Sequence, residues 1–476
     1  MTGVRELTPD ICVIGAGSGG LSVAAAAAQL GSSVVLLERH KMGGDCLNYG
    51  CVPSKALIAA GRRAHDMRTA SRFGIANVEP AVDPRAVHDH VKGVIAAIAP
   101  IDSVERFTGL GVHVIQAAGR FVDPDTLVAG DYRIKARRFV VATGSSPLVP
   151  PIPGLDQIPY FTNETIFDHQ QPIGHLILVG GGPIGLELAQ AHRRLGARVT
   201  VLEGAKALAK DDPEMTAVVL RSLRADGVDI REGAKVERVS GAPGRVVVTL
   251  AEAGGGGAVE GTHLMLAVGR SPNVADLGLK EAGIAFDRRG ITVNAGLVTT
   301  NRRVFAIGDV AGGLQFTHVA NYHAGIVVRR ALFRLPAKVS TQHIPWVTFT
   351  DPELATVGLS EEAARAKHGR IYIYRWPYGE NDRAQAERIT EGHIKVIADR
   401  SNRILGATIV GAHAGELIQM WALAISKKMT VKDMTEWVSP YPTLSEISKR
   451  ASFGIYAGKA QSPMLRRVLG WLRTLG

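Results

Sequence analysis

The chain has 476 residues, 46% of them hydrophobic and 21% charged, which is typical of a globular protein with two to four domains. Its formal net charge of +11 is scattered along the chain, so a solvated surface or attraction for anionic nucleotides is expected and a nucleic-acid partner is not. With three cysteines, no apolar run of eighteen residues and no secretory signal pattern, we expect a cytoplasmic protein that is neither a disulfide scaffold nor membrane-spanning.

The first apolar run, residues 11–14, predicts a buried strand, and a glycine-rich turn and an alanine-rich helix follow it. A second apolar run, residues 34–37, ends at Glu38. Glycines in G-x-G-x-x-G spacing let a pyrophosphate approach the backbone at the helix N-terminus, and an acid at this distance accepts a ribose hydroxyl. The pattern therefore predicts a dinucleotide site, and its glycines are Gly15, Gly17 and Gly20.

Cys46 and Cys51 lie in the stretch 43–55, which reads GGDCLNYGCVPSK. A disulfide that closes so short a loop stabilises weakly, so a reversible dithiol is one interpretation and a static bridge is the other. Pro53 favours a helix that begins near Cys51, where the helix dipole would favour a thiolate. Cys12, within the first predicted strand, is expected to be a buried apolar side chain without a redox role.

The dinucleotide pattern returns at residues 175–203, where Glu203 ends the second strand. Two such folds predict two nucleotides, a flavin and a nicotinamide, because hydride passes between them; a duplicated fold with one empty site is the alternative. A carboxylate binds the ribose diol of NAD and repels the 2'-phosphate of NADP, so Glu203 favours NADH, while Lys206 weakens that preference. The glycines of this second turn are Gly180, Gly182 and Gly185.

Four further motifs follow the first cysteine stretch in chain order. They are VVATGSSP at 140–147, LAVGRSPN at 266–273, TTNRRVFAIGDVAGG at 299–313 and FTDPELATVGLSEEAA at 349–364. Together with the stretch 43–55, they resemble the class I pyridine nucleotide-disulfide oxidoreductase family, which includes dihydrolipoyl dehydrogenase, glutathione reductase and mercuric reductase. The resemblance runs from about residue 10 to 455, and its most specific part is the cysteine pair followed by Val-Pro-Ser-Lys.

The resemblance implies an α/β fold with two Rossmann-like nucleotide-binding domains, for FAD and NAD, and a C-terminal α+β dimerisation domain that forms a homodimer. The FAD domain would be split around the NAD domain, and the proline-rich run at 147–155 suits the crossover. The implied boundaries are 1–148 and 272–344 for the FAD domain, 149–271 for the NAD(P) domain, 345–462 for the dimerisation domain and 463–476 for a tail.

The resemblance also implies roles for single residues. Cys51 would be the sulfur next to the flavin, and Cys46 the outer sulfur that attacks substrate in thiol–disulfide exchange. Lys55 and Glu187 would pair beside the flavin, although each is also explained as a surface charge on its helix. The cofactor contacts implied beyond the two glycine turns, Glu38 and Glu203 are Arg39, Gly44, Lys55, Gly119, Thr143, Gly144, Gly269, Asp309 and His318.

Residues 437–452 depart from the family's pattern. Its disulfide reductases carry a His-Pro-Thr-x-x-Glu motif here, and the partner chain's His takes a proton from the outer thiol; this chain keeps Glu446 but has Tyr441 in place of the His. A neutral Tyr is a poor base, so slow turnover of ordinary dithiols is expected. Mercuric reductases also place Tyr there, but their C-terminal cysteine pair has no counterpart in this sequence, and no bound catalytic metal is expected.

The leading hypothesis is an NAD(P)H-dependent flavin disulfide oxidoreductase, similar to dihydrolipoyl dehydrogenase, that uses FAD and NADH, with NADP(H) less favoured. Electrons would pass between NADH, FAD and the Cys46–Cys51 disulfide, and a small-molecule or protein disulfide or dithiol would be the substrate. A metal-ion reductase and a redox-sensing or electron-transfer flavoprotein are the alternatives. Neither the substrate nor the direction of electron flow follows from the sequence.

The terminal segment, residues 463–476, has apolar residues at helical spacing. A basic amphipathic helix of this kind lies on an anionic membrane or docks on protein. In so short a segment, docking or fraying is favoured over membrane contact. The apolar positions are Leu465, Val468, Leu469, Leu472 and Leu475, with Trp471, Arg466, Arg467 and Arg473 beside them.

Overall fold

The structure, a computed structural model, describes residues 4–252, 256–457 and 462–475. Its first unit is built on a five-stranded parallel sheet. One edge strand comes from residues 304–306, far along the chain from the other four, and pairs with residues 139–141. In spatial order the strands are Val304–Ala306, Arg138–Val141, Ile11–Ile14, Val34–Leu37 and Val112–Ile115.

The first sheet is covered by helices on one face and by a small four-stranded sheet on the other. Ile11 and Val13 face the helices, whereas Cys12 and Ile14 face the small sheet, because successive side chains of a strand alternate. Cys12 is fully buried there, as expected for an apolar core position. The helices of this unit are Ser18–Gln29, Gly44–Asn48, Cys51–Arg68, Pro84–Ile98, Val104–Gly109 and Thr317–Ala331, and the small sheet has strands Arg5–Leu7, Tyr132–Ile134, Leu127–Ala129 and Arg120–Phe121.

The second unit repeats the strand–turn–helix arrangement on a four-stranded parallel sheet. The chain enters and leaves this unit through an antiparallel pair formed by residues 145–147 and 270–272. The sheet strands are Asp229–Glu232, Arg198–Glu203, His175–Val179 and His263–Leu266, the helices are Pro183–Arg194 and Pro213–Ala225, and an antiparallel meander has strands Val236–Ala242, Arg245–Leu250 and Ala258–Gly261. A two-stranded pair, Phe286–Asp287 with Gly290–Ile291, follows it along the chain.

The third unit is a five-stranded antiparallel sheet with helices packed on it. Trp421, which is fully buried, lies in its core and donates its indole N–H to Ser448. In spatial order the strands are Pro345–Thr348, Glu353–Gly358, Ile404–Gly411, His393–Ala398 and Tyr372–Pro377, and the helices are Glu361–His368, Asp382–Ala386, Ala414–Ser426, Asp433–Glu436 and Glu446–Phe453.

An ion cluster joins the second and third units. The ammonium of Lys395, whose side chain is 3% exposed, lies 2.7 Å from Asp212, 2.9 Å from Glu214 and 2.6 Å from Glu361. A buried ammonium is tolerated only when it is paired in this way. The predicted α/β fold, with two parallel nucleotide-type sheets and a C-terminal α+β unit, is confirmed; the domain boundaries remain predictions.

The terminal segment is helical over Pro463–Leu472. None of the residues of this helix is buried, so it does not dock on the part of the chain that the structure describes. The last residue of the predicted tail, Gly476, lies outside the described residues. Among those residues, no helix has both the length and the apolar character needed to cross a bilayer.

Candidate active site

A single cavity of about 2050 Å³ runs along the strand ends of both parallel sheets. It is lined by residues that directly follow the strands of the first sheet and by those that follow the strands of the second. Ligands of open α/β sheets bind outside the carboxyl ends of the strands, where the connections diverge. The fold therefore brings the two predicted nucleotide sites and the cysteine stretch to one continuous space.

The two glycine turns show which glycines face this cavity. Gly17 and Gly182 have extended backbones, with φ of −81° and −78°, which any residue can adopt. A Cβ at Gly182 would meet nothing within 4 Å, and a Cβ at Gly17 would meet only the Cα of Gly44 at 3.9 Å. Since the protein itself does not require glycine at these two positions, the open space there fits a pyrophosphate that approaches the backbone.

Gly20 and Gly185 lie behind the turns and do not line the cavity. A Cβ at Gly20 would stand 1.9 Å from the carbonyl oxygen of Gly15, and one at Gly185 would stand 2.1 Å from that of Gly180. These two glycines therefore allow each helix to pack closely on its strand, and the sequence-based prediction that they contact a cofactor does not match their position.

The two acids that end the second strands occupy equivalent positions. Glu38 accepts the N–H of Ala16 at 2.8 Å, and Glu203 accepts the N–H of Gly181 at 2.7 Å. Each carboxylate also accepts a second backbone N–H two residues further along the chain, at 2.8 Å. Both acids line the cavity, so each is held beside the turn where the ribose of a bound nucleotide would lie.

The two cysteines lie on adjacent helical segments and are free thiols in this structure. Cys46 is on the short helix Gly44–Asn48, and Cys51 is the first residue of the helix Cys51–Arg68. A side chain at Gly50 would crowd the carboxylate of Asp45 at 2.8 Å, so glycine lets the chain turn tightly between the two helices. The predicted helix start near Cys51 is confirmed.

The environment of the pair separates the acidities of the two thiols. A hydrogen bond from Cys46 lowers the pKa of Cys51 to about 6, with the hydroxyl of Thr317 and the charge of Lys55 acting in the same direction. The same hydrogen bond and burial raise the pKa of Cys46. Near neutral pH the pair therefore carries one proton, on Cys46, and one thiolate, on Cys51.

Lys55 and Glu187 form an ion pair with a Nζ–Oε2 distance of 2.8 Å. The second oxygen of Glu187 accepts the N–H of Phe349 at 2.8 Å, and the ammonium of Lys55 lies 4.3 Å from the centre of the Phe349 ring. These contacts bring the first, second and third units together at one point of the cavity. The interpretation of the two residues as independent surface charges is therefore wrong.

A second polar chain, which the sequence-based prediction missed apart from Asp309, lies on the same cavity. Arg270 pairs with Asp45 at 3.0 Å and donates to the hydroxyl of Ser145 at 2.7 Å, and that hydroxyl donates to Asp309 at 2.6 Å. Burial raises the pKa of Asp309. Ser145 and Arg270 lie inside the motifs VVATGSSP and LAVGRSPN, which the sequence analysis identified. The sequence did not show that these two motifs contact each other.

His318 lines the cavity next to Thr317. Its Nε2 donates to the carbonyl of Pro345 at 2.8 Å, its ring stacks on Phe316 at 5.3 Å, and burial lowers the pKa of His318. A fixed, neutral ring of this kind suits contact with an aromatic cofactor. The other predicted cofactor contacts that line the cavity are Arg39, Gly44, Gly119, Thr143, Gly144 and Gly269.

Tyr441 and Glu446 lie away from the cavity of their own chain. Tyr441 is 70% exposed and donates its hydroxyl to Asp382 at 2.7 Å, an interaction that raises the pKa of the phenol. Glu446 pairs with Arg450 at 3.0 Å. Within the described chain, no group of three or more His, Cys, Asp or Glu side chains has the arrangement of a metal site.

The chain is similar to known proteins along most of its length. The model of the pyridine nucleotide-disulphide oxidoreductase family matches residues 9–324, and the model of the dimerisation domain of that family matches residues 344–452. Mercuric reductase of Lysinibacillus sphaericus is 34% identical over 94% of this chain and 83% of its own, and dihydrolipoyl dehydrogenase of Staphylococcus aureus is 33% identical over 95% and 97%. The HOCl-induced flavoprotein disulfide reductase RclA of Escherichia coli superposes with a TM-score of 0.83 at 28% identity, over 93% of this chain and 99% of its own.

Proposed function

Because this chain belongs to the pyridine nucleotide-disulphide oxidoreductase family, we propose that it uses NADH, FAD and the Cys46–Cys51 pair to reduce a disulfide. As a member it is an NAD(P)H-dependent flavin disulfide oxidoreductase that forms a homodimer through its C-terminal unit. The observation that carries the proposal is the dithiol at a helix N-terminus, beside the Lys55–Glu187 pair and on the cavity shared by both nucleotide turns.

The chain's own groups fit both cofactors. FAD, when bound, would supply a carrier of two electrons between the nicotinamide and the sulfur pair. Gly17, Glu38 and Asp309 would hold the pyrophosphate and the hydroxyl groups of FAD, and Gly182 and Glu203 would hold the nicotinamide dinucleotide. The carboxylate of Glu203 favours NADH over NADPH because it repels a 2'-phosphate.

The sulfur chemistry follows from the separated acidities of the pair. Once Cys46 loses its proton, its sulfur attacks the substrate disulfide, forming a mixed disulfide and releasing one substrate thiolate. The Cys51 thiolate then attacks Cys46, the Cys46–Cys51 disulfide forms, and the second substrate thiolate leaves. The substrate gains two electrons from the sulfur pair. One of its two protons is the proton that Cys46 loses, and the other comes from solvent because Cys51 starts as a thiolate.

Proton transfer is the weak point of this cycle. Tyr441 of the partner subunit would face the outer sulfur, where a neutral phenol can donate a hydrogen bond to a leaving thiolate. It is a poor acceptor for the proton of Cys46, because the hydrogen bond to Asp382 raises the pKa of the phenol further. In the reverse direction, the phenol is an equally poor acceptor for the protons of a substrate dithiol, so ordinary dithiols such as dihydrolipoamide should be oxidised slowly.

A metal-ion reductase is the second candidate, and one observation favours it. Mercuric reductases from several organisms are 31 to 35% identical to this chain over more than nine-tenths of its length. A soft metal ion as substrate would need thiolate ligands, which Cys46 and Cys51 supply. Two electrons from NADH would then reduce the divalent ion to the metal, with the dithiol as its ligand.

Steady-state oxidation of NADH by the FAD-loaded homodimer tests these candidates. Lipoamide, glutathione disulfide and mercuric ion are offered separately, with Cys46→Ser and Cys51→Ser variants as controls for the dithiol. Turnover of a disulfide that both variants lose supports the first candidate, and turnover of mercuric ion alone supports the second. If NADH bleaches the flavin without turnover of any acceptor, a redox-sensing or electron-transfer role replaces both.

A further inference from the structure

The terminal helix Pro463–Leu472 has two faces of opposite chemistry. At about 100° per residue, its apolar side chains and that of Leu475 fall within an arc of about 160°, and its arginines fall outside that arc. Met464 is 76% exposed, Trp471 is 63% exposed and Leu469 is 45% exposed, so the apolar arc faces solvent. The apolar arc consists of Met464, Leu465, Val468, Leu469, Trp471, Leu472 and Leu475.

A ten-residue helix is only marginally stable in water without tertiary contacts, and a contiguous exposed apolar surface marks an interaction site. The chemistry of the opposite face limits the kind of partner that the helix can bind. Arg466, Arg467 and Arg473 make no ion pair with any described residue, and residues 463–475 contain no acidic side chain. The partner must therefore offer both an apolar layer and negative charge.

We propose that this helix is a peripheral anchor that lies in the headgroup layer of an anionic phospholipid membrane. Its apolar arc would enter the boundary with the acyl chains, Trp471 would sit at the level of the headgroups, and the three arginines would contact lipid phosphates. The formal net charge of +11 adds long-range attraction to such a surface. The proposal is independent of the substrate of the dithiol.

A second copy of the helix is a poorer partner for the apolar arc than a lipid surface. Two copies that packed their apolar arcs against each other would leave all six arginines without an acid from either segment to pair with them. In an anionic membrane, each arginine instead finds a phosphate. The homodimer also carries two such helices, and a membrane that both of them reached would strengthen a contact that is weak for a single helix.

Co-sedimentation of the FAD-loaded full-length protein with vesicles tests the proposal. Vesicles of pure phosphatidylcholine are compared with vesicles of phosphatidylcholine and phosphatidylglycerol at low salt. We expect binding to the anionic vesicles only, and each arginine should contribute about fivefold to it. The triple variant Arg466→Gln, Arg467→Gln, Arg473→Gln should therefore lose on the order of a hundredfold in partitioning.

Two single variants distinguish the contribution of the apolar face to vesicle binding from a general effect of substitution in this helix. Leu469→Gln puts an amide on the apolar arc, whereas Gly470→Gln puts the same amide on the opposite face, and neither changes the charge. Leu469→Gln should reduce vesicle binding several-fold, and Gly470→Gln should bind at least as well as the wild type because Gln is the better helix former. Retained NADH oxidation shows that each variant is folded.

Three outcomes overturn the proposal. The first is equal sedimentation with neutral and anionic vesicles, and the second is equal loss of binding in the Leu469→Gln and Gly470→Gln variants. The third is a lack of vesicle binding together with a smaller assembly for Leu469→Gln in light scattering, which would assign the helix to contact with another copy of the chain.

Discussion

The hydroxyl of Thr317 lies 3.3 Å from the sulfur of Cys51, although the two residues are 266 positions apart. Thr317 is the first residue of the helix Thr317–Ala331, and Cys51 is the first residue of the helix Cys51–Arg68. Two helix N-termini therefore converge on one sulfur. The hydroxyl helps to lower the pKa of Cys51, so this contact bears on the redox chemistry directly.

Thr317→Val tests that contact. The variant removes the hydroxyl while keeping the shape of the side chain, and we expect the pKa of Cys51 to rise from about 6 by roughly one unit, the equivalent of one hydrogen bond to a charged group. The ultraviolet absorbance of the thiolate, followed against pH in the reduced protein, measures the shift. Thr317→Ser is the matched control and should titrate like the wild type; equal curves for the two variants would contradict the role of the hydroxyl.

Lys55→Met should destabilise the protein and also raise the pKa of Cys51. It leaves the carboxylate of Glu187, whose side chain is 7% exposed, without its cation, and we expect a loss of about 1–2 kcal/mol in the free energy of unfolding. The loss should stay below that of a fully buried pair because the Lys55 side chain is 37% exposed. Urea unfolding of the FAD-loaded protein measures it.

Lys92→Met is the matched control for this measurement. Lys92 also pairs with a carboxylate, that of Asp168, but the Asp168 side chain is 62% exposed. Loss of the Lys92–Asp168 pair should change the free energy of unfolding by no more than about 0.5 kcal/mol and should not alter the titration of Cys51. If both Lys variants behaved alike, burial of Glu187 would not be the cause.

Glu203→Gln should reduce the preference for NADH over NADPH. The amide has one carbonyl oxygen for the two N–H groups that the carboxylate accepts, and it no longer repels a 2'-phosphate. We expect the KM for NADH to rise about tenfold and the KM for NADPH to fall, since a hydrogen bond to a charged group is lost. Glu38→Gln, the equivalent change in the first turn, should weaken retention of FAD and leave the ratio of the two KM values unchanged.

Tyr441→His should raise the rate of dihydrolipoamide oxidation. His titrates near pH 6.5 and exchanges protons with a thiol far better than a phenol whose pKa is raised by Asp382. We expect an increase of at least tenfold in kcat with an activity that falls below about pH 6.5. Tyr441→Phe is the control, and equal rates in the His and Phe variants would exclude a proton-transfer function at this position.

The contribution of the ion cluster around Lys395 to folding stability should depend on pH. Hydrogen bonds, first from Arg375, lower the pKa of Glu214 to about 2. A lowered carboxylate pKa stabilises the folded state above the pKa of the unfolded state, and that contribution is lost as the pH falls from about 4.5 towards 2. The urea midpoint of the wild type should fall more steeply in this window than that of Glu214→Gln, and parallel curves would contradict the assignment.

Hydrophobic periodicity and motifs in the sequence were sufficient to predict the strands and helices that flank the two glycine turns. The strands at residues 11–14 and 34–37, the glycine turns and the start of the helix at Cys51 all depend on local residue order, and local order is visible in a sequence. The Lys55–Glu187 pair could be predicted only from the family resemblance. The two positions are 132 residues apart, so no local pattern in the sequence connects them.

Contacts that arise only when separate motifs meet were not predictable. Thr317 beside Cys51 and Arg270 beside Asp45 each join segments of more than 200 residues' separation, and no periodicity records such a pairing. The glycines at positions 20 and 185 were assigned to a cofactor because spacing shows that glycine is needed, but not which neighbour requires it. That neighbour is a backbone carbonyl in both cases.

The edge strand at residues 304–306 has a consequence for biosynthesis. The ribosome completes every strand of the second parallel sheet by residue 266, before it makes the strand that finishes the first sheet. The middle of the polypeptide can therefore reach its native form on the ribosome while the N-terminal segment still waits for its last strand. The proposed flavin site, although its first strand lies near the N-terminus, is completed only after the proposed nicotinamide site has been synthesised.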